Sequence, residues 1–186
     1  MDREKALELL HSKMQNQNLR RHCYSVEAVM RALAKHFNED PDVWGIAGLL
    51  HDADYELTKD DTTKHVVTVI SWLKQMGVDH NIINAINAHG WKFVQGCPEP
   101  ANKMEWSLYC CDELTGLIVA VALVKGKKLE NVTVESILKK FPKKDFAAGV
   151  DRNQIKLCEQ KLGIPINEFV GIALKSMQEI HKDLGL

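Results

Sequence analysis

An apolar helical run, Trp44-Gly45-Ile46-Ala47-Gly48-Leu49-Leu50, carries an adjacent His51-Asp52 pair to its end, and Asp54 and Glu56 follow at once. Such a run belongs in a core, and a carboxylate taken there from water needs a cation or hydrogen bonds to compensate it. The chain must therefore fold so that other groups meet this helix end. Two arrangements satisfy that demand. In one, Asp52 caps the following segment and His51 is a satisfied polar residue. In the other, imidazole nitrogen and carboxylate oxygen together hold a divalent transition metal, for which that donor pair is suited.

The rest of the pattern is helical. Residues 3–15 place Ala6, Leu7, Leu10 and Met14 on one side, and Asn16-Gln17-Asn18 breaks the run. Over 19–37, Leu19, Cys23, Val26, Met30, Leu33 and Phe37 recur at three- and four-residue steps, with His22 one position off the stripe. Pro41 is placed to open the helix that runs to His51. Residues 54–61 read as an acidic, irregular loop. Thr62 or Thr63 is placed to cap a helix from Lys64 to Met76 stopped by Gly77, which puts His65 in its first turn. Asp79 starts a helix that finishes at Ala88-His89-Gly90, and residues 91–101 form a loop containing Pro and Gly. A long helix from Asn102 to Val124 carries Asp112 in its interior, where Asp has poor propensity and needs a partner to hold it. Helices over 134–141, 150–162 and 165–184 complete the chain. No repeat or low-complexity linker divides it. The expectation is a compact all-α bundle forming one domain over 1–186, with its functional core at about 19–124 and a C-terminal helical part at 125–186.

Composition narrows the function classes. The chain has 186 residues, 45% hydrophobic and 26% charged, enough for one domain with a sizeable core. A net charge of −1 gives no reason to expect general nucleic-acid or membrane-surface binding. One stretch departs from that balance: Lys125, Lys127, Lys128, Lys139, Lys140, Lys143 and Lys144 are answered only by Glu130 and Glu135, which makes either a solvated basic loop or an attraction for a phosphorylated ligand. None of the five cysteines forms a C-x-x-C pair, the N-terminus is too charged for a secretory signal, and the longest apolar run, Leu117 to Val124, is far short of the ~20 residues a membrane helix needs. Reduced thiols in the cytoplasm are the expectation.

His22, His51-Asp52, His65, His89 and Asp112 each fall on, or at the end of, a different expected helix. A bundle that projects ligands from several helices into one central site needs that distribution. His11, His36, His80 and His181 have no such placement.

In these residues the chain resembles the HD-domain metal-dependent phosphohydrolases, whose basic signature is H…HD…D and a subset of which adds two histidines before the final Asp. Leu49-Leu50-His51-Asp52, Ala85-Ile86-Asn87-Ala88-His89 and Tyr109-Cys110-Cys111-Asp112 look like the family's ligand contexts, and the likeness covers 19–124. The tail, including Phe146 to Arg152, is similar to a bacterial HDIG-related group. The resemblance implies His22, His51, Asp52 and Asp112 as the basic metal ligands and His65 and His89 as the added pair. Six such ligands exceed what one tetrahedral ion requires, so a dinuclear centre bridged by Asp52 is economical, with His22, His51 and Asp112 on one ion and His65 and His89 on the other. The donor set suits two divalent ions, Fe or Mn first, with Zn, Co, Ni or Mg as alternatives.

The activity so implied is hydrolysis of a small phosphorylated, nucleotide-like substrate by a metal-activated hydroxide. Asp52, Asp54 and Glu56 are the candidate catalytic carboxylates, Asp54 and Glu56 as orienters or a general acid. Arg21, Lys64 and Lys92, each flanking a proposed ligand, are candidates for phosphate positioning. Trp91 and Trp106 either stack a base or pack the core, and Arg152 reads as structural. Several relatives carry a Glu three residues after the HD Asp, where this chain has Tyr55. Competing readings are a cyclic-nucleotide or dinucleotide phosphodiesterase, a di-iron oxygenase and a non-catalytic HD signalling module. No G-Y-P motif of the cyclic-di-GMP group follows the HD pair. An oligomer is compatible with all of them.

Overall fold

The computed structural model describes residues 1–186 and is helical throughout. Side-chain caps set most helix starts: Asp2, Asn16, Asp40, Asp79, Asn102, Thr133 and Asp151 each accept a backbone N–H of the turn that follows. The helices are α1 (Arg3–Lys13), α2 (Gln17–His36), α3 (Pro41–Leu50), α4 (Tyr55–Thr58), α5 (Val67–Gln75), α6 (His80–His89), α7 (Lys103–Val124), α8 (Val134–Lys140), α9 (Arg152–Leu157), α10 (Ile166–Glu179) and α11 (His181–Leu184).

The long helices α2 and α7 are the frame. The first packs on α3, α7 and α10, the second on α2, α6 and α9. Apolar on nearly every side, α7 is the one helix long and apolar enough to cross a membrane by length and composition, yet 61% of that stretch is buried inside the bundle. Its neighbours explain the composition. On the far side of α2, buried Glu27 receives Arg3 Nε at 2.6 Å and Arg31 Nε at 2.9 Å, and Arg31 reaches on to Asp42 at 2.7 Å. This ionic chain ties α1 and α3 to α2.

Four expected elements differ. Residues 54–61 contain the single turn α4. The 150–162 segment changes after Leu157 to a wider turn, Cys158–Leu162, and the last helix breaks at Ile180. The helix expected from Lys64 begins only at Val67, after a tight turn at Thr62–Lys64. Between them His65 is extended and Val66 has φ +70° and ψ −49°, with Val67 N–H donating to His65 O at 2.8 Å. That is a positive-φ γ-turn centred on a buried, β-branched residue, a strained conformation costing on the order of 1–3 kcal/mol. The threonines do not cap α5. Buried Asp54 does so from another segment, accepting the Val69 N–H at 2.9 Å. The end of α5 follows expectation, with Gly77 at φ +66°.

Arg152 is structural. Its guanidinium donates to the carbonyls of Ala147 and Val150 at 2.7 and 2.8 Å and to that of Phe146, closing the turn before α9.

Candidate metal centre

Each histidine of the constellation arrives on a different support. His22 is one turn and a half into α2, His51 follows the last residue of α3, His89 ends α6, and Asp112 sits in the middle of α7. Gly48 lets α3 approach α2: a Cβ there would lie 2.9 Å from Val26 O and 3.0 Å from Glu27 Cα. This contact brings His51 beside His22, their Nε2 atoms 3.3 Å apart.

The opposite nitrogen of every imidazole has its own partner. His51 Nδ1 donates to Gly48 O at 2.8 Å, His89 Nδ1 to Ile86 O at 2.8 Å, and His65 Nδ1 to Asp54 Oδ1 at 2.8 Å. His22 Nδ1 lies 3.4 Å from Thr115 Oγ1, whose hydroxyl donates to Asp112 O at 2.8 Å. These bonds fix the tautomer and aim all four Nε2 lone pairs inward, an arrangement common to metal-ligating histidines.

Asp52 lies at the focus. Its Oδ2 is 3.8 Å from His22 Nε2 and 3.7 Å from His51 Nε2, while its Oδ1 is 3.4 Å from both His65 Nε2 and His89 Nε2. Asp112 Oδ1 completes the first side at 2.9 Å from His22 Nε2 and 3.5 Å from His51 Nε2. The rings form an arc, His22 to His51 to His89 to His65, with successive centroids 5.1–5.3 Å apart. His51 is the link, because its nitrogen also lies within reach of the Asp52 and His89 atoms.

The donor set fits a divalent cation. Atoms coordinating an ion at 2.0–2.2 Å stand roughly 3.0–3.5 Å from one another at octahedral to tetrahedral angles, close to the distances seen here. Electrostatics point the same way. Burial opposes charge on His51, yet Asp52 and Asp112 overcome it and push its pKa up to about 9. Burial likewise opposes charge on His65, but hydrogen bonds to Asp52 and Asp54 push it up to about 10. Against burial, the facing imidazoles hold Asp52 and Asp112 well below the usual carboxylate range. Two largely enclosed anions thus demand positive charge, which protons or metal ions can supply.

The sequence model of the HD domain family matches residues 19–122, from the first turn of α2 to the last turn of α7. This chain belongs to the HD domain family. Its relatives are mostly metal-dependent phosphohydrolases that bind divalent metals. No curated protein matches the chain.

The other candidates of the HD centre are placed unequally. Asp54 is fully buried and holds His65, so it belongs to the support of the site. Glu56 is not brought to the cluster: its Oε2 accepts the Gln15 and Asn16 amides at 2.6 and 2.9 Å and secures the turn between α1 and α2. Lys64 pairs with Asp61 at 2.9 Å on the surface, and Lys92 lies 4.0 Å over the Trp91 ring. Arg21 lines a cleft that opens on His22. Trp106 packs edge to face with both Trp91 and Tyr109, and Trp91 lies tilted against Tyr109, which places them in an aromatic cluster.

Two residues near the centre escaped the sequence reading. Thr115 is one turn beyond Asp112 on α7, a spacing that would have found it. Glu113 accepts the Asp151 N–H at 2.9 Å, and burial, with Asp112 beside it, pushes its pKa up to about 7. Its partner comes from 38 residues away, so no local signal marks it.

Proposed function

We propose that this protein is a cytoplasmic metal-dependent phosphohydrolase acting on a small phosphorylated, nucleotide-like substrate. The observation that carries the reading is the division of Asp52: one carboxylate oxygen faces His22 and His51, the other faces His65 and His89. In this reading His22, His51, Asp52 and Asp112 would hold one divalent ion, and His65 and His89, with Asp52 between the two sets, would hold a second. Fe or Mn suits nitrogen and oxygen donors without thiolate. When bound, such a pair supplies Lewis acidity toward phosphoryl oxygens and lowers the pKa of a water.

The chain's own groups orient the rest. Asp54 keeps the His65 ring in register by accepting its Nδ1–H. Thr115 does the same for His22 through its hydroxyl. Arg21 lines the cleft beside the first half-site.

A phosphate-release screen of small phosphate esters tests the proposal, run on protein loaded with Mn or Fe, with and without oxygen. The expected result is release that is independent of oxygen and absent from Asp52→Ala. Oxygen consumption with substrate cleavage and no phosphate release would overturn it in favour of an oxygenase.

A further inference from the structure

Four of the five arginines are committed to protein groups. Arg3 and Arg31 pair with Glu27, Arg20 donates to the Met14 and His11 carbonyls, and Arg152 is spent on carbonyls. Arg21, adjacent to ligand candidate His22, has neither an ion-pair nor a hydrogen-bond partner. Gly185 backs it: at φ +70° its backbone comes so close that a Cβ would lie 2.9 Å from an Arg21 guanidinium nitrogen.

Arg21 and His22 open into a cleft of about 520 Å³ between α2 and the C-terminal half of α7. Val119 and Leu123 give it an apolar wall, Lys127 also lines it, and no acidic side chain does. A second cleft of about 740 Å³ adjoins, sharing Lys127 and adding Lys128 and Lys182. Of these lysines only Lys128 has a carboxylate partner, Glu130 at 3.2 Å. The turn that presents them is pinned, Lys125 Nζ donating to Asn131 O and Asn131 Nδ2 returning a bond to Lys125 O, and Lys127 is held at φ +60°. A path of cations, of which only Lys128 is paired, therefore leads away from the His22 side of the centre. Cations without counterions along a concave surface focus a field that attracts anions.

We propose that this cleft seats a second anionic group of the substrate, so that the preferred ligand is a phosphate ester bearing a further phosphate away from the scissile one. Its body lies against Val119 and Leu123, and its distal phosphate meets Arg21 and Lys127, a guanidinium being well matched to phosphate oxygens. The inference rests on the hydrolase reading for the position of the scissile phosphate.

Calorimetric titration of the metal-free full chain with adenosine 3′,5′-bisphosphate and with adenosine 5′-monophosphate separates the two ideas. The bisphosphate is expected to bind at least about tenfold more tightly, and Arg21→Ala and Lys127→Ala each to weaken it by about tenfold, the scale of one charge-assisted contact. Lys144→Ala, on a different loop, is expected to leave that binding unchanged. Both arginine and lysine variants alter exposed side chains, so folding is retained, and circular dichroism checks it. Equal binding of the two nucleotides, or binding indifferent to Arg21 and Lys127, overturns the subsite without touching the hydrolase reading. Selective bisphosphate binding in a protein that releases phosphate from no ester when loaded with metal supports the subsite and removes the hydrolase reading.

Discussion

The two halves of the HD centre are built differently. On the His22 side, the donor side chains come from the interior of α2, the end of α3 and the middle of α7, and two of the helices are the frame of the bundle. On the His65 side, only His89 stands on a regular helix. His65 lies in an extended connection before a strained γ-turn at Val66, and Asp54 alone bonds both the His65 ring and the first turn of α5. Regular helices hold their side chains by many backbone bonds at once, whereas a strained turn persists only while its surroundings over-determine it. The first half-site is therefore expected to be rigid and tight, the second conditional on one carboxylate.

The largest effect that bears on this contrast is loss of both halves together. Asp52→Ala removes the only carboxylate shared by the two sides, and metal analysis of the purified variant is expected to fall to less than about a tenth of wild type at equal metal exposure, with activity abolished. Retention of one full equivalent would show that the halves do not share Asp52.

Next in size, Asp54→Ala is expected to break one half only. It leaves the partly buried His65 ring N–H and the buried Val69 N–H without their acceptor, a loss of about 3 kcal/mol in local stability. Hydrogen exchange over 65–70 should accelerate while α2 and α7 stay protected, and metal content should drop toward one per chain. His65→Ala should reach the same metal content with α5 still capped. Equal exchange in both variants would mean that Asp54 does not hold the turn.

On the rigid side, Gly48→Ala drives a methyl into the α2 backbone at 2.9 Å and should cost about 1–3 kcal/mol of global stability. Here the midpoint of chemical denaturation reports the effect, and affinity for the first ion should weaken more than that for the second. The opposite order would place the close helix contact outside the His22 side.

The smallest effect is in pH. His51 and His65 have folded pKa values raised to about 9 and about 10 in the metal-free protein. Their stabilising contribution is fully present below the unfolded value of about 6.5 and is lost as pH rises through the folded values. Asp52 and Asp112 have depressed values, so their contribution is present above about 3.9 and is lost as pH falls below it. Metal-free protein should thus melt highest between about pH 4 and 6.5. Metal binding displaces the Nε2 protons, so the stabilisation by added Mn should grow as pH rises from 6 to 8. A melting profile with its maximum above pH 8 in the absence of metal contradicts this balance.

Much of the rigid half was legible in the sequence. His22 sits off a clean apolar stripe, His51-Asp52 ends an apolar helix, and Asp112 occupies a helix interior where only a partner justifies it. These are periodic features, and periodicity survives into the fold because α2 and α7 are long and α3 is buried against α2. The conditional half was legible only as residue types. A Thr-capped helix from Lys64 was the local reading, and it lost to a tertiary contact, since Asp54 supplies the cap from an earlier turn and frees His65 from helical geometry. Glu56 was misread for the same reason. Its nearness in sequence to Asp52 suggested a role there, but the Gln15 and Asn16 amides of a distant turn claim it. The lysine-rich stretch could not be resolved until folding brought Lys127 into the same cleft as Arg21.

The most direct test of the shared Asp52 is electron paramagnetic resonance of metal-free protein titrated with Mn(II). Saturation at two ions per chain with a spin-coupled spectrum is expected, because ions on the two oxygens of one carboxylate lie close enough to couple. Saturation at a single ion, or two ions with uncoupled spectra, would contradict the account.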